Sequence, residues 1–248
     1  MSWLDPVRRA LDAQPGAHFF FRDDDVGSAT GACASLLDLF ESAAKPIDLA
    51  VIPCALSVRE AAALRARRAR GERVGWHPHG FAHANRERVG RKCEFGAWRG
   101  SDEVRAELAH GRELLLDLLG EVDPIFTPPW NRCGESTCRA LAELGFVALS
   151  RDAGAAPVDA HGLTELPVRI DFTSPKTGTR AGPGALGRRL AGEVEAGGVV
   201  GVMLHHAVMN SDDLERLAEL LEMIDARRVR VSAMRDLVAA LLVQESAR

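Results

Sequence analysis

The chain has 248 residues, 46% of them hydrophobic, enough to bury one large core, and α/β barrels occupy this length as a single domain. A net charge of −4 gives no basic footprint for nucleic acid or an anionic membrane surface, so neither is expected as a partner. The five cysteines lack the Cys-x-x-Cys pairing of a structural zinc module and read as buried free thiols; with no secretory or membrane-spanning apolar segment near Met1, a reducing cytoplasm is the expected compartment.

Taken in chain order, apolar positions recur at helical spacing after Asp5-Pro6, through Leu36, Leu37, Leu39 and Phe40, from Val58 to Leu64, from Val104 to Leu119, and from Leu214 to Ile224. Short strand-like runs lie among them: Phe19 to Arg22, Ile47 to Ile52, Arg73 to Trp76, Pro124 to Phe126, Phe146 to Leu149, Val199 to Leu204 and Val229 to Val231. Strands alternating with helices predict right-handed βαβ crossovers and a parallel sheet. With about seven such units and no Gly-rich phosphate loop after the first strand, the pattern favours a (β/α) barrel over a doubly wound nucleotide fold. The stretch from Pro175 to Gly187, rich in Gly, Thr, Arg and Pro, reads as a surface loop near the site mouth.

Three motifs follow strand-like runs. The first is the acidic triplet Asp23, Asp24 and Asp25 after Phe19 to Arg22. A helix N-cap explains one Asp there but not three, whose mutual repulsion is costly unless a cation lies nearby or at least one of them stays in solvent. The second is His77-Pro-His79-Gly-Phe-Ala-His83. His79 and His83, four apart, would face the same way on one helical turn and share an ion, whereas His77 belongs to the strand end and serves packing or hydrogen bonding around the site. The third is the doublet His205-His206 after Val199 to Leu204, of which strand alternation lets only one face a barrel mouth. Carboxylate and imidazole donors gathered at the ends of different strands suit zinc and similar divalent ions, and point to a metal-dependent hydrolase. Between the second and third motifs, Thr127-Pro-Pro129-Trp130-Asn-Arg132 places a stiff diproline turn and an aromatic at a strand end, fit to form a groove wall and to present a backbone N–H to an oxyanion.

In this order the segments from about Phe19 to Asn210 resemble a divergent branch of the polysaccharide deacetylase homology domain, the family 4 carbohydrate esterases. The resemblance implies a deformed (β/α)7 barrel and removal of an acetyl group from an N- or O-acetylated carbohydrate. The family pattern Thr-Phe-Asp-Asp-Gly looks like Arg22 to Val26 here, which would make Asp24 the general base and Asp25 a metal ligand; a register one residue earlier would give those roles to Asp23 and Asp24. The family's His-x-x-x-His ligand pair falls on His79 and His83, its Arg-x-Pro-Tyr groove motif on Thr127 to Trp130, and its Leu-x-His motif on Met203 to His205. The implied cofactor is a divalent ion, zinc first. His205 would be the general acid and Trp130 would supply the oxyanion N–H. Pro129, Trp130, Arg132 and His206 would meet substrate, with Asp23, Arg22 and His77 behind them. Two departures stand out. Thr127 replaces the groove Arg that orients the base, so Arg22, Arg132 or Arg151 must supply that charge; and His206 replaces the Asp that follows the acid, leaving Asp152 or Asp171 as its carboxylate partner. Two other readings remain open: an amidase acting on a small non-sugar substrate, and a non-catalytic barrel that binds a sugar or another partner.

Overall fold

The computed structural model describes residues 2–28, 30–173 and 182–246. The chain alternates helices and strands: α1 (Asp5–Ala13), β1 (His18–Val26), α2 (Thr30–Ser42), β2 (Ile47–Val51), α3 (Val58–Ala69), β3 (Val74–Pro78) and α4 (Ser101–Leu119). It continues through β4 (Ile125–Phe126), α5 (Glu135–Glu143), β5 (Ala148–Leu149), β6 (Thr164–Glu165), β7 (Ile170–Asp171), α6 (Pro183–Ala196), β8 (Val199–Leu204), α7 (Ser211–Ala226), β9 (Arg230–Val231) and α8 (Met234–Ser246). All recorded strand pairings are parallel.

One sheet runs β3-β2-β1-β8-β7, with β9 added beside the start of β1, and a second runs β4-β5-β6. A bridge between His79 and Thr127 joins β3 to β4, and a bridge between Asp152 and Val168 links the end of β5 to the segment that becomes β7. The two sheets are therefore arcs of a deformed (β/α)7 barrel. The helices cover the outside, as right-handed crossovers require.

Alternation along β1 decides what lies inside. Phe19 and Phe21 pack outward among the helices, where Phe21 meets the edge of Phe40 on α2 at 5.2 Å between centroids. Phe20 points the other way and shares an inner cluster with Ile125, Ala148, Val168 and Met203. Arg22 and Asp24 follow Phe20 on the inner face, and Asp23 follows Phe21 on the outer one.

Several expectations change. The first strand runs on to Val26 and so contains the whole acidic triplet. His79 and His83 do not share a helical turn: the chain between them is irregular loop. Of the loop expected from Pro175 to Gly187, residues 183–187 form the first turns of α6, and residues 175–181 lie outside the described residues. Helices α5, α6 and α8 and strands β6 and β7 were not anticipated by the apolar pattern.

Candidate active site

Strict alternation would send Asp24 and Asp25 to opposite faces of β1. The pairing of β1 with β2 shifts register between Asp23 and Val26, and Asp25 adopts a left-handed backbone with φ 64°. This irregularity turns Asp25 over the end of the strand beside Asp24. There its Oδ1 lies 3.2 Å from Nε2 of His79 and 3.1 Å from Nε2 of His83. Among the described residues this is one of three places where three donor side chains converge, and it joins the ends of β1 and β3.

The loop that folds His83 back toward His79 is built on Glu94. Its fully buried carboxylate accepts the N–H groups of Phe81 at 3.1 Å, Ala82 at 2.9 Å and Ala84 at 3.2 Å. Gly80, at φ +68°, passes so close to Glu94 and Pro129 that a Cβ would collide with both. Trp130 closes the other side, its ring 4.5 Å from the His83 ring.

The donor set fits a cation. His79 Nδ1 faces the Thr127 carbonyl at 3.0 Å, an oxygen that can only accept, so Nδ1 carries the proton. In the neutral ring Nε2 then presents a lone pair to the Asp25 carboxylate, two acceptors pointed at each other unless a proton or a metal ion lies between them. Burial would lower the His79 pKa, but Asp25 and Asp24 outweigh it and raise it. Burial and the neighbouring His79 lower that of His83. Burial would raise the Asp25 carboxyl, yet the hydrogen bond and charge of His79, with His83 and His205, hold it far below the ordinary carboxylate range.

Asp24 sits behind this cluster, 1% exposed, in the grip of an equally buried Arg22. Arg22 Nε donates to Oδ1 at 2.7 Å and Nη2 to Oδ2 at 2.8 Å, a two-pronged charge-assisted pair. The remaining donors of Arg22 reach the Ser150 hydroxyl at 2.7 Å and the Asn131 side-chain oxygen at 2.9 Å. Burial alone would raise the Asp24 pKa; Arg22, then His79 and His205, reverse this and hold it low. Of the three arginines considered for the missing groove charge, Arg22 is the one on the carboxylate. Arg132 donates to the Lys92 carbonyl at 2.9 Å, and Arg151 pairs with Glu165.

The histidine doublet splits. His205, partly buried at the end of β8, lies where its charge reaches both Asp24 and Asp25. His206 is 1% exposed and turned away from the groove expected of it: Nδ1 donates to Asp23 Oδ2 at 2.7 Å and Nε2 to the Ser28 carbonyl at 2.8 Å. Since both partners only accept, the ring is an imidazolium, and Asp23 raises its pKa against burial. His77 is fully buried, bonded to the Thr127 hydroxyl at 2.8 Å, with its pKa pushed down to about 3 by burial and by Arg22. Next to these groups opens a cavity of about 290 Å³ lined by Arg91, Trp130, Arg132, Asp152, Asp171 and Met203. Pro129 is buried against Gly80 and stiffens its wall. Glu94, Asn131 and Ser150 carry no pattern in the sequence that singles them out.

No family model and no curated protein matches the chain. Solved structures do. A Mycobacterium smegmatis protein assigned as a polysaccharide deacetylase superposes with a TM-score of 0.68 at 18% identity, over 93% of this chain and 91% of that one. The fold is that of the polysaccharide deacetylases. A family 4 acetyl xylan esterase from Clostridium thermocellum, solved with a cobalt ion, has the same fold at TM-score 0.59 and 13% identity, over 90% of this chain and 91% of its own. So does a family 4 pseudoenzyme from Bacillus anthracis, at 0.58 and 12%, covering 89% of this chain and 65% of that one. The polysaccharide deacetylase fold thus houses active and inactive proteins alike, and the side chains of the site have to decide between them.

Proposed function

We propose that this chain is a metal-dependent hydrolase that removes an acetyl group from an N- or O-acetylated carbohydrate. The observation that carries the reading is the convergence of Asp25, His79 and His83 directly beside a buried, arginine-clamped Asp24. Asp25, His79 and His83 would hold the ion. When bound, a zinc-type ion supplies Lewis acidity and lowers the pKa of water toward ~7.

The protein's own groups divide the proton work. Asp24 stays ionised in its low-pKa pocket and takes a proton from the attacking water. Arg22 fixes the direction of its lone pairs, the task that the family resemblance gives to an arginine at the position of Thr127. The N–H of Trp130, on a left-handed turn with φ 55°, donates to the oxyanion that forms at the substrate carbonyl. His205 protonates the leaving amine or alcohol. The cavity beside Trp130, with Arg132 in its wall, receives the sugar.

Metal content of protein purified without chelator, together with acetate release from N-acetylated sugars, tests the reading. About one divalent ion per chain and acetate release are expected, and both should be lost in the His79→Ala, His83→Ala double variant. A bound ion without acetate would move the assignment to an amidase for small non-sugar substrates. Neither ion nor acetate would leave a non-catalytic barrel that binds a sugar or another partner.

A further inference from the structure

Cys133 and Cys138 have no part in the chemistry above. Gly134 is the N-cap of α5, so Cys133 stands just before the cap and Cys138 is the fourth helical residue. Those two positions meet in a hydrophobic staple, where apolar side chains usually fix the angle at which the chain enters a helix. Here the staple is made of two thiols with their sulfurs 3.9 Å apart. Neither sulfur belongs to a group of three converging donors among the described residues, so a metal does not account for the pair. A disulfide needs ~2.05 Å between sulfurs, a closure of about 2 Å that rotation of two short side chains can approach.

We propose that Cys133 and Cys138 are a dithiol–disulfide site, oxidised by a small peroxide and reopened by thiols. Cys138 is buried, while Cys133 is partly exposed on the turn that leads out of the site. Access favours the Cys133 sulfur as the one that meets peroxide. As its thiolate it attacks one peroxide oxygen, forming a sulfenic acid and releasing hydroxide. The Cys138 sulfur, 3.9 Å away, then attacks the sulfenic sulfur, the S–S bond forms, and the oxygen leaves as water with the thiol proton. In total, two thiols and one hydrogen peroxide give one disulfide and two waters. The new bond would tie α5 to the turn from Thr127 to Arg132, which carries Trp130 and Asn131.

The test uses the whole unmodified protein. It is treated with hydrogen peroxide at doses that oxidise the exposed Cys54, denatured, alkylated and cut with trypsin, which releases both sulfurs in the single peptide from Cys133 to Arg139. The expected product is that peptide, unalkylated and two hydrogens lighter, returned to a doubly alkylated form by dithiothreitol. Three outcomes would overturn the proposal: both sulfurs alkylated after Cys54 has reacted, sulfinic or sulfonic acid on either one as the main product, or Cys133 cross-linked to the neighbouring Cys93.

Discussion

Arg22 and Asp24 lie two residues apart on one face of β1 and are joined through both oxygens, at 2.7 and 2.8 Å, with neither side chain more than 2% exposed. Proximity in sequence makes the pair short-range, and burial makes it costly to break. Arg22→Lys keeps the charge but not the fork, so Asp24 should lose its orientation. Turnover is expected to fall on the order of 10²-fold with metal content unchanged. Arg22→Met leaves Asp24 buried and uncompensated, and denaturant melts should show a loss of about 3–5 kcal/mol. Wild-type turnover in the Lys variant would remove Arg22 from the mechanism.

Asp24 and Asp25 should fail differently. Asp24→Asn is expected to abolish hydrolysis while the ion stays bound, because the amide cannot take a proton and the donor set is intact. Asp25→Asn should reduce both. Metal analysis beside single-turnover assays separates the two, and a metal-free Asp24→Asn with a metal-loaded Asp25→Asn would return the roles to the earlier register, Asp23 and Asp24.

The two histidines of the doublet predict two kinds of damage. His205→Ala should lose much more activity on an amide than on an activated aryl ester, whose leaving group departs without help from an acid. His206→Ala should affect both substrates alike and lower stability by about 3–5 kcal/mol, since it strands Asp23 without its buried cation. An amide-selective loss in His206→Ala alone would reverse the assignment.

Stability should depend on pH through Asp48 on β2, paired across the sheet with Arg22. Its carboxyl is fully buried: Oδ2 accepts the Met234 N–H at 2.8 Å, and Oδ1 lies over Gly75 with no partner, facing the equally unpartnered Oδ2 of Asp123. Burial pushes its pKa up to about 7; the Met234 N–H opposes this, Asp123 adds to it, Arg235 opposes it and Asp236 adds to it. The folded chain therefore keeps a proton that the unfolded chain has released above about pH 4, and stability falls as pH rises from there to about 7. The loss should be on the order of a few kcal/mol. Asp48→Asn keeps the acceptor for Met234 and removes this titration, so its denaturation midpoints should fall less across that window, leaving the smaller slope of Asp123, whose carboxyl burial also raises, and be higher than wild type at pH 8. An undiminished wild-type slope in the variant would remove Asp48 from the pH dependence.

What could be read from the sequence follows from where each signal resides. Strands β1, β2, β3 and β8 run five residues or more and carry short apolar stretches. Strands β6 and β7 are two residues each, too short to show a period, and α6 carries Gly184, Gly187 and Gly192, which weaken a helical pattern. In α8 the unbroken apolar run from Leu237 to Val243 hides the helical spacing. The site was legible where its groups are contiguous, as at Asp23 to Asp25, His79 to His83 and His205-His206. The partners that orient them were not. Ser150 meets Arg22 across 128 positions, and Glu94 shapes the His79–His83 loop through backbone N–H groups, which no sequence pattern displays. The placing of Asp25 beside Asp24, against strand alternation, needed the register shift in β1, a feature of pairing rather than of composition.

The His79–Thr127 bridge has a mechanical consequence. His79 donates its N–H to Val51 at 2.7 Å, Thr127 donates to the Pro78 carbonyl at 3.1 Å, and Gly80 donates to the Thr127 carbonyl at 3.2 Å, the same oxygen that receives the His79 ring proton. The rivet between the two arcs of the barrel is thus also a candidate ligand. Whatever balances the charge at His79 keeps the seam shut, and stripping the ion should loosen the protein locally, as a split between β3 and β4 that hydrogen exchange would register at Thr127 and Gly80 before β1 or β8 is touched.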